Sequence, residues 1–329
     1  MRRAEGTRGR ILDRLRRAGG FVSGAELGRE AGISRPAVWK HVEALRAQGY
    51  VVRARPRVGY RLVSSPDLLT PERVSPHLHS TLIGGCMVHF DSVVSTNDEA
   101  RRLADQGATE GTIVVAERQE AGRGRLGRSW VSPPGGVYFS ILLRPNLAPV
   151  QLSMITLAAA VAVAEGIRQQ TGLETRIKWP NDVLLEGRKL VGILTEMAAE
   201  ADSIRFVVIG IGVNANVDLS AYPVEAREGI ASLLAVLGRP VDRPALLAAI
   251  LNELDSSYRS LREGQFDSIL DRWRSLSSTI GSRVRVTTVT ETVTGLAMGV
   301  DDDGALRVLA DDGTERLFHT GEVQHLRQA

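Results

Sequence analysis

The stretch Gln119-Glu-Ala-Gly-Arg-Gly-Arg-Leu-Gly-Arg-Ser-Trp130 decides how this chain is read. It follows an apolar run at 112–117 with the composition of a buried strand, and it leads into Val131-Ser-Pro-Pro-Gly-Gly136. Gly122, Gly124 and Gly127 let a backbone turn tightly or approach a ligand closely. Arg123, Arg125 and Arg128 are interleaved with them, and no Asp or Glu lies between Glu120 and Glu165 to neutralise them locally. Forked guanidinium donors on a glycine loop suit an anion, above all phosphate. The Gly-x-Gly-x-x-Gly spacing invites a dinucleotide fold. That fingerprint needs a helix directly after the glycines and an acid about 20 residues on. Here the loop runs into two prolines and no such acid follows, so we reject it. A solvated basic hairpin accounts for the same residues, and the rest of the chain must decide.

Working outward, 329 residues predict two or three domains. Residues 1–63 hold 15 basic against 5 acidic residues, a net of +10, which leaves −7 for the rest of a chain whose total is +3. A basic head on an acidic body points the head toward nucleic acid. The single cysteine, Cys86, excludes an internal disulfide and a multi-cysteine metal site; in an expected strand at 86–90 it reads as an inert core thiol. No secretory signal is expected, and the apolar run at 152–164 reads as a buried helix too short to span a bilayer. The chain is expected to be soluble and cytoplasmic, away from membranes. Only three of its 41 basic residues are lysine: Lys40, Lys178 and Lys189. Against that arginine bias, each lysine marks a place for a compact ammonium.

In the head, Ser23 and Glu26 form a capping-box pattern before a short helix at 25–31. Gly32 makes a turn, and Ser34 caps a second helix at 35–48 with Pro36 in its first turn. This is a helix-turn-helix. The sequence Tyr50-Val-Val-Arg-Ala-Arg-Pro-Arg-Val-Gly-Tyr-Arg-Leu-Val63 then reads as a two-stranded wing turning at 56–59. Strand alternation would set Arg53, Arg55 and Arg57 on one face. Together with Ser34, Arg35, Trp39 and Lys40 they are the candidate DNA contacts. A helix-turn-helix used only for protein contact is the alternative, and the charge favours DNA.

In the body, Ser95-Thr-Asn97 follows an expected strand and opens a helix; Ser95 or Thr96 reads equally as a plain cap or as part of a ligand-facing helix start. A second cluster, Arg176-Ile-Lys-Trp-Pro-Asn-Asp-Val-Leu-Leu185, reads as strand, break, strand, and continues into Lys189 and Glu196. Gly192, isolated in an apolar strand, predicts close approach by a ligand or another backbone. A third strand at 204–213 ends at Asn214. The strand ends thus carry Arg, Lys, Asn and Asp, with no Cys/His metal cluster and no serine elbow. That chemistry is anion binding and charge stabilisation.

Ser95-Thr-Asn97, the 119–130 loop, Lys178-Trp-Pro-Asn-Asp182, Arg188-Lys-Leu-x-Gly-Ile-Leu194 and Gly210-x-Gly-x-Asn214 stand in the order and spacing of biotin protein ligases, and with its winged head the chain resembles the bifunctional ligase and biotin operon repressor type. The resemblance implies an α+β chain. Its parts would be a winged helix-turn-helix (1–63), a linker (64–80), a mixed-sheet, class II synthetase-like biotin/ATP domain (81–276) and an SH3-like β-barrel (277–329). It implies that biotin's carboxylate attacks the α-phosphorus of ATP, with magnesium accompanying the nucleotide, and that a lysine of a biotin carboxyl carrier protein then takes the biotinyl group. Carried onto this sequence, Ser95, Thr96, Asn97 and Gln119 meet biotin. Gly122, Arg123, Gly124 and Arg125 lie along biotin and the phosphate. Lys189 serves the carboxylate and α-phosphate with Gly192 beside it. Lys178, Asn181 and Asp182 assist the nucleotide or the reacting centre. Trp130 and Asn214 flank adenine and ribose, although core packing accounts equally for Trp130 and Trp179.

The match weakens beyond Asn214. Residues 216–229 are the expected nucleotide lid, with Tyr222 their sole aromatic, and the wing tip is a loose match. Helices at 244–261 and 266–276 and strands at 284–290, 292–300, 305–310 and 314–319 complete the chain. Two other readings are a biotin-sensing DNA-binding regulator without ligation, against which the intact loop with Lys189 argues, and a lipoate-attaching relative, against which the Gly-Arg-Gly-Arg loop and the winged head argue. The family also implies an adenylate-linked homodimer on two-fold operator DNA.

Overall fold

A helix-turn-helix needs two short helices held at an angle by a turn that only certain residues allow, and the first part of this chain supplies them. The structure, a computed structural model, describes residues 2–47, 49–65, 67–148, 151–200 and 203–326. It divides into two compact units, Met1–Leu68 and Leu69–Ala329. In the first, α1 (Arg2–Ala18), α2 (Gly24–Ala31) and α3 (Arg35–Ala47) precede an antiparallel ribbon of β1 (Val51–Arg55) and β2 (Gly59–Ser64). Ile11, Leu12 and Leu15 pack with Leu27, Val38, Val42 and Leu45, all fully buried. Ser23 caps α2 by accepting from the Glu26 N–H at 3.1 Å. The Glu26 carboxylate turns to Arg14 instead of back to the cap. Gly32 ends α2 at φ 69°, and Ser34 accepts from the Ala37 N–H at 3.4 Å. The expected last residue of the second helix, Gln48, lies outside the described residues, as does Pro66 of the linker.

Val22 bridges to Tyr60, so the wing is stitched to the segment before α2. Gly59 makes that possible: a Cβ there would sit 2.0 Å from the Val22 carbonyl oxygen, and φ is 134°. Ser34, Arg35, Lys40, Arg53 and Arg55 are exposed, as is Trp39. Arg57 departs from the expected alternation. It lies in the turn at φ 62°, outside both strands, so the strand pleat does not align it with Arg53 and Arg55.

The second unit is built on a seven-stranded sheet of β3 (Met87–Phe90), β4 (Ile113–Ala116), β5 (Val137–Leu143), β6 (Arg176–Lys178), β7 (Asp182–Leu185), β8 (Arg188–Glu200) and β9 (Ser203–Val213). Its order is β3-β4-β5-β9-β8-β7-β6, and only β3 and β4 run parallel. Alternate residues serve opposite faces. On one, Val114, Leu142 and Val208 pack with Ala100 and Ala104. On the other, Val115, Phe139 and Ile209 join the main core. The first set covers α5 (Thr96–Asp105), which follows the short α4 (Pro71–Val74).

The second set takes α6 (Leu152–Thr171), which is longer than the expected run. At 20 residues it is apolar and long enough to cross a membrane by length and composition, but most of it is buried in the core. Two small helices, α7 (Val224–Arg227) and α8 (Leu233–Leu237), lead to α9 (Arg243–Arg262), which packs along α6, and to α10 (Phe266–Leu276). Cys86 lies before β3 and is exposed, so it is not the core thiol expected.

The last segment forms β10 (Arg283–Thr287), β11 (Thr292–Val300), β12 (Leu306–Ala310), β13 (Glu315–Phe318) and β14 (Glu322–His325). They make a five-stranded antiparallel sheet in the order β13-β12-β11-β10-β14. β14 was not among the expected strands; it is short and polar, and its pairing with β10 defines it.

One buried ion pair joins the pieces. Arg243, 2% exposed, donates to Glu117 Oε2 at 2.9 Å and to the Gly136 carbonyl at 2.7 Å. Glu117 Oε1 accepts the Leu69 N–H at 2.7 Å and lies 2.9 Å from His89 Nε2. Burial alone would raise the Glu117 carboxyl, but His89, Arg243 and Leu69 together hold it below its ordinary value of 4.5. Its stabilising contribution is complete above that value and is lost as pH falls through the lowered one. Removing one partner of such a pair costs about 3–5 kcal/mol. We therefore expect Arg243→Met to lower the stability of the second unit by about that much in thermal and urea unfolding at neutral pH. Glu117→Gln should flatten the loss of stability on acidification; an unchanged unfolding midpoint in both variants would contradict this account.

Candidate active site

The 119–130 loop is a hairpin, and it faces inward. Gln119 bridges to Ser132 and Arg123 to Ser129. The Gly124 N–H donates to Arg128 O at 2.7 Å and the Trp130 N–H to Gly122 O at 2.8 Å. The tip is a single 3₁₀ turn at Arg125–Gly127, with Leu126 at φ 56°. The chain then enters β5, a strand, which bears out the rejection of a dinucleotide fold. The hairpin walls a cleft of about 270 Å³ with Ser95, Thr96, Asn97, Lys178, Asn181, Asp182 and Lys189.

At the start of α5, Ser95 sits at the N-cap but makes no side-chain cap bond. The Thr96 N–H goes to Gln119 Oε1 at 2.9 Å, and the Thr96 hydroxyl lies 3.1 Å from the same oxygen. Gln119 Nε2 donates to Ser132 at 2.9 Å. The loop therefore caps the helix, and Ser95 is left to face the cleft. Asn97 Nδ2 donates to Glu196 at 2.6 Å, and Ser140 Oγ stands 2.6 Å from Asn97 Oδ1. Gly210 makes room for this amide, since a Cβ there would meet Asn97 Oδ1 at 2.2 Å. The approach expected at Gly192 comes from a side chain, not from a ligand or backbone: a Cβ would lie 2.8 Å from the Trp130 ring, which also covers Gly212. The Trp130 Nε1 is buried with no acceptor.

The loop is not left un-neutralised, as its local sequence implied. Arg123 pairs with Asp98 and Glu196, and Arg128 pairs with Glu322 on β14. Arg125 differs. It donates to Asn181 Oδ1 at 3.2 Å, to Gly321 O at 3.1 Å and to Thr320 Oγ1 at 3.3 Å. Among the described residues no carboxylate is within ion-pair distance of it, and burial pulls its pKa down. Lys189 Nζ sits 2.7 Å from Asp182 Oδ1 and 5.4 Å from the centre of the Trp130 ring. Burial lowers the Lys178 ammonium, with Asp182 opposing and Lys189 adding to the shift. Three cations thus meet at one end of the cleft, and amide and hydroxyl groups at the other. That arrangement takes a ligand with a hydrogen-bonding head and an anionic tail.

Some expected residues are elsewhere. Asn214 is buried and accepts the Tyr222 hydroxyl at 2.7 Å, away from the cleft wall. Burial pushes Tyr222 up to about 12. Gly122 packs against Trp130 O and Ser132. Trp179 is core, its Nε1 donating to Gly304 O at 3.2 Å, although its edge reaches the cleft. Sequence reasoning missed Asp98, Ser140, Glu196 and Glu322. Only Glu196 carried a signal, as an acid soon after the apolar run at 190–194 in β8.

Three family models match the chain: an HTH domain over residues 7–61, the Biotin/lipoate A/B protein ligase family over 90–214 and the Biotin protein ligase C terminal domain over 279–326. The chain is 41% identical to the bifunctional ligase/repressor BirA of Bacillus subtilis, over 91% of this chain and 92% of that protein. It is 32% identical to the Escherichia coli protein of the same name, over 94% of each. The biotin protein ligase of Aquifex aeolicus, solved with biotin and ATP, superposes with a TM-score of 0.64 at 28% identity, over 74% of this chain and all of that one. With relatives this similar along nearly its whole length, the chain belongs to the family of bifunctional biotin ligase/repressors.

Proposed function

We propose that this protein activates biotin with ATP to biotinyl-5′-AMP and pyrophosphate, then passes the biotinyl group to a lysine of a biotin carboxyl carrier protein. The observation that carries this is the meeting of Arg125, Lys178 and Lys189 opposite the Ser95–Asn97 network in one cleft. The ureido head of biotin suits Ser95, Thr96 and Asn97, of which Thr96 and Asn97 are already oriented by Gln119, Ser140 and Glu196. The carboxylate and α-phosphate suit the cationic end, where fixed charges stabilise the negative charge that builds in the transition state. Arg125 is the cation best placed to take up phosphate, because binding breaks no ion pair there. Arg123 must first leave Asp98 and Glu196. The acceptor-free Trp130 N–H suits a ligand oxygen or ring nitrogen, since buried donors are rarely left unpaired. Asp182 is ion-paired with Lys189. It is a cleft carboxylate that would face a magnesium ion accompanying the nucleotide, whose charge would offset that of the phosphates.

In this reading residues 1–63 bind operator DNA as a repressor, through Ser34, Arg35, Trp39, Lys40 and the wing arginines. Residues 81–276 are the class II synthetase-like ligase body and 277–329 an SH3-like closing domain. The protein works in the cytoplasm, and its adenylate-bound form dimerises on two-fold DNA. Biotin-dependent ATP–pyrophosphate exchange, with label passing to a carrier domain, is the expected result. Tight biotin and DNA binding without exchange would instead make the chain a sensor. Lys189→Arg should lower exchange by on the order of 10²-fold although charge is kept, because a planar fork cannot occupy the place of a compact ammonium between Asp182 and Trp130; wild-type exchange in that variant would remove Lys189 from the assigned chemistry. Size-exclusion chromatography with biotin and ATP should show a mass increase; a constant monomer mass at all concentrations would count against ligand-linked dimerisation.

A further inference from the structure

Three strands close on the Asn97 side chain at the start of α5, and they spend its hydrogen-bonding capacity unequally. Its Nδ2 donates to Glu196 Oε2 of β8 at 2.6 Å and faces the Leu194 carbonyl at 3.5 Å. A carboxylate and a carbonyl only accept, so the amide nitrogen, not the oxygen, must lie on that side. Its Oδ1 lies opposite, 2.6 Å from Ser140 Oγ of β5 and over Gly210 of β9. Both N–H groups are thus engaged within the fold. Among the described residues Ser140 is the donor to Oδ1, so what Asn97 still offers the cleft is a lone pair. Gln119 completes the count. Its Oε1 takes the Thr96 N–H and hydroxyl, and its Nε2 gives one proton to Ser132 and keeps the other. Glu196 ends this chain of bonds as a pure acceptor. Arg101 stands 3.0 Å from its Oε1 and Arg123 3.4 Å from its Oε2.

We propose that Glu196 is a positioning residue that sets the polarity of the ligand reader: it locks the Asn97 amide so that the cleft meets an acceptor there, and the site therefore requires an N–H on the ligand head. The inference rests on the ligase reading above. A cyclic urea has the matching pattern. Its carbonyl oxygen takes the Ser95 hydroxyl and the spare Gln119 proton, and its N–H serves Asn97 Oδ1. A head with sulfur or oxygen in place of N–H gives Asn97 no proton and leaves a buried acceptor unpaired, and such a gap discriminates far better than a missing apolar contact. Without a pure acceptor at 196, the amide is free to turn over and set its own N–H groups against those of the ligand.

The test is a double-mutant cycle on the pair. Glu196→Gln gives the amide a partner that both donates and accepts. Asn97→Asp sets two carboxylates against each other. The two substitutions together reverse the bond: the new amide at 196 donates to the new carboxylate at 97, whose other oxygen still faces the cleft as an acceptor. In calorimetric titration with biotin alone, we expect affinity about tenfold lower in Glu196→Gln, about 10²-fold lower in Asn97→Asp, and at least about tenfold tighter in the pair than in Asn97→Asp alone. In pyrophosphate exchange Glu196→Gln should raise the KM for biotin by about tenfold and leave kcat and the KM for ATP within about twofold, because the cationic groups lie at the other end of the cleft. A role for Glu196 as ion-pair partner of Arg101 and Arg123 alone predicts losses that multiply in the pair; that result overturns the proposal, and so does an unchanged KM for biotin in Glu196→Gln. If Asn97→Asp shows no unfolding transition and the pair does, the rescue is read from stability and supports the proposal; if neither folds, the KM-against-kcat split in Glu196→Gln decides. A coupled cycle in a chain without exchange keeps the polarity and removes the ligase reading, and an additive cycle in a chain with exchange does the reverse.

Discussion

The buried contact between Arg243 and Glu117 is the constraint on which the second unit depends. It fixes both roots of the ligand loop, since Glu117 precedes Gln119 and the Gly136 carbonyl follows Trp130. It also fixes the first residue of the unit, through the Leu69 N–H, and the start of α9. A charge so far from water tolerates no half-measures: with its partners it is stable, and without one of them the remaining charge is stranded. The loop can therefore change at its tip, where Leu126 adopts a left-handed conformation, while its base keeps Gln119 on the helix that presents Thr96 and Asn97.

The same separation governs the charges. Arg123 and Arg128 are held by carboxylates in half-exposed pairs, which are individually weak. Phosphate can displace such partners at small cost, and the displaced acids remain nearby to receive the arginines again on release. Among the described residues no carboxylate is within ion-pair distance of Arg125 or Lys178, and burial pulls both pKa values down, so an incoming anion relieves an existing cost. Recognition at the other end is fixed beforehand by neutral hydrogen bonds around Asn97. The site combines a rigid reader with a replaceable set of counter-ions.

Much of this was legible in the sequence because it is local. Ser23, Gly32 and Ser34 mark helix ends by caps and turn conformations that act over three or four residues, and the glycine–arginine alternation at 122–128 announces an anion loop by itself. What could not be read depends on contacts across the fold. Asp98, Glu196 and Glu322 neutralise the loop from three separate elements. Gly192 is glycine because of a tryptophan more than sixty residues earlier in the chain. Cys86 has the composition of a strand neighbour but lies just outside the strand. Arg57 looks like the third member of an alternating row, and the turn takes it out of register. The strand β14 exists only through its pairing with β10, and its Glu322 brings the last segment to the cleft wall.

Trp130 has a further consequence. Its ring lies on Gly192 and Gly212, under the Lys189 ammonium, with its N–H buried and without an acceptor. An ammonium over an indole and an unsatisfied N–H are both features to which tryptophan emission is sensitive. Any ligand that draws Lys189 aside or bonds to that nitrogen changes the surroundings of one chromophore out of four. Trp273 is sealed in the core, Trp179 is buried with only an edge at the cleft and its N–H already bonded, and Trp39 belongs to the other unit. The cleft thus has an optical reporter of its own occupancy, placed there by the same two glycines that shape its floor.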